Sequence, residues 1–148
     1  MTHPAGVQSA ARNQVRAELR ALRATIAGID GSLVATSDGL LVTHDIPELE
    51  PARLAALVST TLGLARQSVR ETGRGEFREA LVRGTSGYLM VYAAGSSAVV
   101  AIMGDAEMNV GIMQYQARET IERITELAAD FGRWSGAAGL RPDTREPG

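Results

Sequence analysis

Apolar residues fall at helical spacing in three long stretches and cluster in five short ones. Val15, Leu19, Leu22 and Ile26 are spaced by four, three and four, which predicts a helix over about Ser9–Ile26 that stops at Gly28. Leu33–Ala35 and Leu40–Val42 flank Ser37-Asp38-Gly39, the pattern of a hairpin. An Asp-Gly pair suits a type I′ turn, whose two central residues both need positive φ. A second helix follows the prolines Pro47 and Pro51, with Leu54, Leu57, Val58, Thr61, Leu62, Ala65 and Val69 as its apolar stripe. Gly73 and Gly75 end it. Three strands come next: Arg78–Arg83, Tyr88–Tyr92 and Ala98–Met103. The first alternates poorly and reads as an edge, whereas the third is apolar at both parities and reads as central, covered on both faces. A third helix starts at the N-cap residue Asn109 and carries Val110, Met113, Ala117, Ile121, Ile124, Ala128 and Phe131 toward a stop at Gly132.

The predicted order is α-β-β-α-β-β-β-α. Links between neighbouring strands are short turns, so the expected fold is an α/β sandwich of the α+β kind, with a five-stranded antiparallel sheet. The second helix is expected on one face and the first and third on the other. Residues 1–10 and 135–148 lack periodicity and are expected to be disordered, leaving one domain over 11–134. The tail from Ser135 is read as a solvated terminus in preference to a partner-binding segment.

Composition narrows the chemistry. The chain of 148 residues has 15 Lys+Arg, all of them Arg, and no Cys. Without Lys there is no phosphate-loop lysine, Schiff base or lysine general base. Without Cys there is no thiol nucleophile or thiolate-bound zinc. The two histidines, His3 and His44, are too few for a histidine-rich metal site. Metal sites, cofactor-binding residues and catalytic residues are therefore all expected to be absent, and the chain is read as non-enzymatic. A net charge of −2 argues against nucleic acid as a partner. No apolar run is long enough to span a membrane and no leader precedes the domain, so the expected location is cytoplasmic. Base composition that favours arginine codons accounts for the all-arginine usage.

Several motifs reduce to structure. His44 and Asp45 are adjacent in a strand, where neighbours point to opposite faces, so a catalytic pair is not expected. A hydrolase built on His44 ranks last among the functional readings. Asp105 and Glu107 suit the positive end of the following helix better than a metal ion. Met103, Met108 and Met113 read as core or loop filling. Gly84-Thr85-Ser86-Gly87 leads into a strand, so it lacks the helix terminus that holds phosphate. On the second helix, Ala52, Ala56, Ser59, Thr60, Gly63 and Gln67 are small or neutral and recur away from the Leu54–Val58–Leu62 side. Gly63 inside a helix costs about 1 kcal/mol relative to Ala, which invites close packing against another helix as its reason.

Five strings occur in a distinctive order: Gly28-Ile29-Asp30-Gly31-Ser32-Leu33-Val34-Ala35, Ser37-Asp38-Gly39-Leu40, Arg53-Leu54-Ala55-Ala56-Leu57 leading to Gly63-Leu64-Ala65, Gly87-Tyr88-Leu89-Met90-Val91, and Asn109-Val110-Gly111-Ile112-Met113-Gln114-Tyr115-Gln116-Ala117-Arg118. Together they resemble the Roadblock / dynein light chain family, and its bacterial GTPase-associated members in particular, over about Ala17–Phe131. The resemblance implies a five-stranded antiparallel sheet between helices. It also implies a homodimer in which the second helices pack side by side and the sheets join at their edges. Bacterial members are usually encoded near small Ras-like GTPases, which they bind or regulate, and some sit in one operon with a sensor kinase-like protein. The implied function is thus an adaptor or regulator that modulates the nucleotide state or localisation of a small Ras-like GTPase, with a partner able to recruit it to the membrane. A sensor kinase-like protein is a second implied partner.

On that resemblance Ala52, Ala56, Ser59, Thr60, Gly63 and Gln67 become the expected dimer interface. Arg53, Arg66 and Arg70 become candidate GTPase contacts. An arginine finger drawn from Arg53, Arg66, Arg70, Arg74 or Arg78 is weighed against solvated helix surface, and the surface reading is preferred. The rival function is a small-molecule sensor domain in a signalling operon. A closed core with a two-fold contact of second helices favours the adaptor, and a sizeable pocket lined by polar side chains favours the sensor.

Overall fold

A computed structural model describes residues 4–46 and 49–140. The elements are α1 (Pro4–Thr25), β1 (Ile29–Thr36), β2 (Leu41–Asp45), α2 (Pro51–Glu71), β3 (Glu79–Gly84), β4 (Gly87–Ala94), β5 (Ala98–Asp105) and α3 (Val110–Leu140). The five strands form one sheet in the order β2-β1-β5-β4-β3, with every neighbouring pair antiparallel. β5 is the central strand, as its two-sided apolar run requires, and β3 is at an edge. No helix among the described residues is long and apolar enough to cross a membrane.

Two cores lie on opposite faces of the sheet. One joins Val15, Leu19 and Leu22 of α1, and Ile26 just after it, with Met113, Ala117, Ile124 and Ala128 of α3, over Val34, Met90, Val100 and Ile102. The other joins Ala55, Val58 and Leu62 of α2 to Leu33, Val91, Val99 and Ala101. The alternation of side chains along each strand produces this division. On the first face Arg123 of α3 binds Glu18 of α1 at 2.8 Å, and Arg23 of α1 binds Asp45 of β2 at 3.2 Å.

Four local expectations change. The β1–β2 connection is not a type I′ turn, because among the described residues none other than glycine has positive φ. Gly39 N donates to Thr36 O at 3.0 Å and Thr36 N to Leu40 O at 2.8 Å, which closes a three-residue loop with Gly39 at φ 101°. That is the hairpin built from a type I turn followed by a left-handed glycine. Asp38 serves it through its side chain, which accepts from Thr36 Oγ1.

Second, α2 buries Ala55, Val58, Ser59 and Leu62, so its inward face is centred beside the predicted stripe. Leu57, expected inside, is 58% exposed. The small side chains Ala55 and Ser59 let the helix sit close to the sheet, and Ser59 Oγ donates to Thr36 O at 2.9 Å. A hydrophobicity pattern ranks Leu57 above both, but it does not register this close approach.

Third and fourth, the outer helices are longer than expected. α1 begins at Pro4 instead of Ser9, with proline preset for a first helical position. α3 passes Gly132 and runs to Leu140, because a helix already nucleated propagates readily through Ala137, Ala138 and Leu140. Residues 4–10 and 135–140, expected to be irregular, are helical, while 1–3 and 141–148 lie outside the described residues, as does Pro47. The cap of α3 is as expected: Ile112 N donates to Asn109 Oδ1 at 2.9 Å.

Candidate functional site

The outward side of α2 carries exposed small and apolar residues side by side. Ala52, Ala56, Thr60, Gly63 and Gln67 are all exposed, as five of the six expected interface residues should be. A side chain added at Gly63 would meet nothing within 4 Å, so nothing among the described residues of the protomer accounts for this glycine. Ser59, the sixth, is in the protomer core, held by its bond to Thr36. The surface is more apolar than the small residues alone suggest. Leu57 and Leu64 lie seven residues apart, hence on one side of the helix, and are 58% and 63% exposed.

The apolar character continues at the edge of the sheet. The outer edge of β3 pairs with no strand among the described residues. Val82 and Leu81 on this strand are 45% and 46% exposed. Val82 pairs with Leu89, which packs in the α2-side core, so Val82 shares the α2 face. Leu81 pairs with Met90 and faces the α1/α3 side. An open edge flanked by exposed apolar side chains is a template for pairing with another chain unless something covers it.

The three arginines singled out from the sequence do not act together. Arg53 is exposed near the start of α2, about 20 Å along the helix from Arg66 at 1.5 Å per residue. Arg66 is half-buried, and its Nη2 donates to Gly95 O in the β4–β5 turn at 2.8 Å. Arg70, one turn on, joins it around a depression of about 470 Å³, whose other walls include Glu76, Phe77, Gly95 and Ser96. On the opposite side of Phe77 a second cleft of about 390 Å³ lies between β3 and α3. Tyr92 lines it, with Arg78, Glu79, Arg118 and Glu122 around it. Gln114 Nε2 donates to Glu79 Oε2 across this cleft at 3.3 Å. Burial, and secondarily the Glu79 carboxylate, push the Tyr92 phenol up to about 12.

The other motifs singled out from the sequence lie elsewhere. His44 pairs with Leu33 and Asp45 with Ser32, so their side chains leave opposite faces of β2. Asp45 binds Arg23, and His44 Nδ1 is buried with no hydrogen-bond partner among the described residues. Asp105 Oδ1 accepts from Glu107 N at 2.9 Å and so shapes the turn before α3. Met108 and Met113 are buried as core. No group of metal-binding side chains occurs among the described residues.

Sequence reasoning missed Leu57, Leu64, Leu81 and Val82. The seven-residue interval between the two leucines was a readable sign of a second apolar side on α2. Nothing local marked Leu81 and Val82, since their exposure depends on which strand ends the sheet.

Comparison with known proteins gives a consistent outcome. The family model described as Roadblock/LC7 domain matches residues 16–103. An uncharacterised protein of Methanocaldococcus jannaschii is 30% identical over 101 residues, covering 68% of this chain and 88% of its own. A Roadblock/LC7 domain from Streptomyces avermitilis is 30% identical with a TM-score of 0.57, covering 75% of this chain and 98% of its own. MglB, solved in a tetrameric arrangement, has a TM-score of 0.74 at 19% identity, covering 82% of this chain and 92% of its own.

Proposed function

The chain belongs to the Roadblock/LC7 domain family, and from that membership we propose that it is a non-enzymatic homodimeric adaptor or regulator of a small Ras-like GTPase. The observation that carries this reading is the exposed apolar side of α2 on the same sheet face as Val82 of the open β3 edge. Self-association covers both: the α2 helices of two protomers pack through Leu57, Leu64 and the neighbouring small residues, and the sheets join along β3. The tetrameric arrangement recorded for MglB supports self-association as a habit of this fold. Bacterial members of the family are usually encoded near small Ras-like GTPases, and this chain, without a lysine, has no phosphate-binding loop of its own.

A regulator shifts a GTPase only through differential affinity for its two nucleotide states. Beside the paired α2 helices, Arg53, Arg66 and Arg70 of each protomer would be the GTPase contacts, while Ala52, Ala56, Thr60, Gly63 and Gln67 are taken up by the seam between the helices. The test is a pull-down of the GTPases encoded near this gene, each loaded with GDP or with a GTP analogue. Retention that differs between the two states is the expected result. Failure to retain any of them in either state overturns the GTPase reading, whatever the oligomeric state.

A further inference from the structure

The depression beside α2 has the make-up of a small-ligand site. Its volume of about 470 Å³ is within the range of small-molecule pockets. Two arginines from successive turns of one helix, Arg66 and Arg70, line it. Like charges at this spacing repel by a few tenths of a kcal/mol, and neither arginine pairs with a carboxylate among the described residues. Arg66 is held in place by its bond to Gly95 O, so part of the site is preorganised. The half-buried Phe77 and Ala93 contribute apolar surface to the same lining. Glu76 is the single carboxylate in the lining, so the site keeps a positive excess.

We propose that this pocket binds a small organic anion, with a phosphate or carboxylate held between Arg66 and Arg70 and an apolar body lying on Phe77. Guanidinium forks suit planar carboxylates and phosphate oxygens because two parallel N–H groups meet two oxygens. The volume exceeds what a bare inorganic anion fills, and the aromatic wall supplies a surface for the rest of the molecule. The site shares Arg66 and Arg70 with the proposed GTPase contacts, but it needs no second protomer and no GTPase to be filled, so a failed titration leaves the pull-down result standing and the reverse.

The experiment uses the full chain, isotope-labelled, with the backbone amides of Gly75 and Gly95 followed by NMR during titration. The probes are phenyl phosphate, benzoate, inorganic phosphate and phenol. Phenyl phosphate is expected to shift both glycine amides saturably, benzoate to bind at the same place, inorganic phosphate to bind several-fold more weakly, and phenol not to bind. Loss of one fork should weaken phenyl phosphate about tenfold or more in Arg70→Gln. Arg70→Lys keeps the charge without the fork and should be intermediate, and Glu76→Gln should bind more tightly than the natural chain. Preserved amide dispersion in each variant shows that it folds.

Four results overturn the proposal. They are the absence of saturable shifts up to about 10 mM of either organic anion, unchanged affinity in Arg70→Gln, no tightening in Glu76→Gln, and phenol binding as well as phenyl phosphate. Equal affinity for inorganic and phenyl phosphate overturns the apolar half of the site.

Discussion

Replacing Leu57 and Leu64 together by Gln tests the surface on which the proposed function depends. Both side chains point away from the protomer core, at 58% and 63% exposure, and Gln has nearly the helix propensity of Leu. The folded protomer should therefore lose almost nothing. In the dimer the accounting differs. Full burial of a Leu side chain is worth about 1.5–3 kcal/mol, so burying the exposed three-fifths contributes about 1–2 kcal/mol each. Two-fold symmetry counts each leucine twice, giving about 4–7 kcal/mol for the interface, before the ordering and desolvation that association also requires.

At 1.4 kcal/mol per factor of ten, that range corresponds to a Kd weakened by roughly a thousandfold to a hundred-thousandfold. Sedimentation velocity over a wide concentration range reads it directly: on the proposed interface the natural chain is expected to sediment as a dimer, and the double variant as a monomer at low micromolar concentration. Gly63→Leu probes the neighbouring small side of the same helix. The open space at Gly63 lets the protomer accept the new side chain, so a loss of mass would place this position in the contact. A double variant with unchanged thermal stability and unchanged mass would refute the burial reasoning and remove α2 from the interface.

The other expectations concern the protomer. Below pH 10 the Tyr92 phenol is neutral in both folded and unfolded chains, so it adds no pH dependence there. Between pH 10 and 12 mainly the unfolded chain loses the proton, so stability falls as pH rises, by about 2 kcal/mol at pH 12. Urea melts at pH 9 and pH 11 should show that slope in the natural chain and lose it in Tyr92→Phe. Gly28→Ala should destabilise by at least about 1–3 kcal/mol in chemical denaturation. Its φ of 97° is left-handed, and the added Cβ would be 2.8 Å from Met108 Cα. Asn109→Ala removes the cap on Ile112 N and should cost about 1 kcal/mol of the same stability, with Asn109→Ser recovering most of it.

Where residues act through near neighbours, the amino-acid pattern was enough. Val15, Leu19, Leu22 and Ile26 predicted the buried side of α1, Asn109 the start of α3, and the two-sided run Ala98–Met103 the central strand. Spacing and capping are short-range properties, and an unbroken apolar strand has to be covered on both faces wherever it lies. The arrangement of the sheet between its helices followed from the element order together with the family resemblance.

The pattern was insufficient where a residue's role depends on how closely distant segments approach. Ser59 and Ala55 face inward and Leu57 outward because α2 rests close to the end of β1, a distance that no periodicity contains. Leu81 and Val82 are surface residues only because β3 closes one side of the sheet. Arg66 and Arg70 share a pocket while Arg53 does not, because the β4–β5 turn folds back against one end of α2. Core formation follows the summed hydrophobicity of each element, which composition and spacing encode. Surfaces and pockets are defined by the gaps left once those elements have packed, and these exist only in three dimensions.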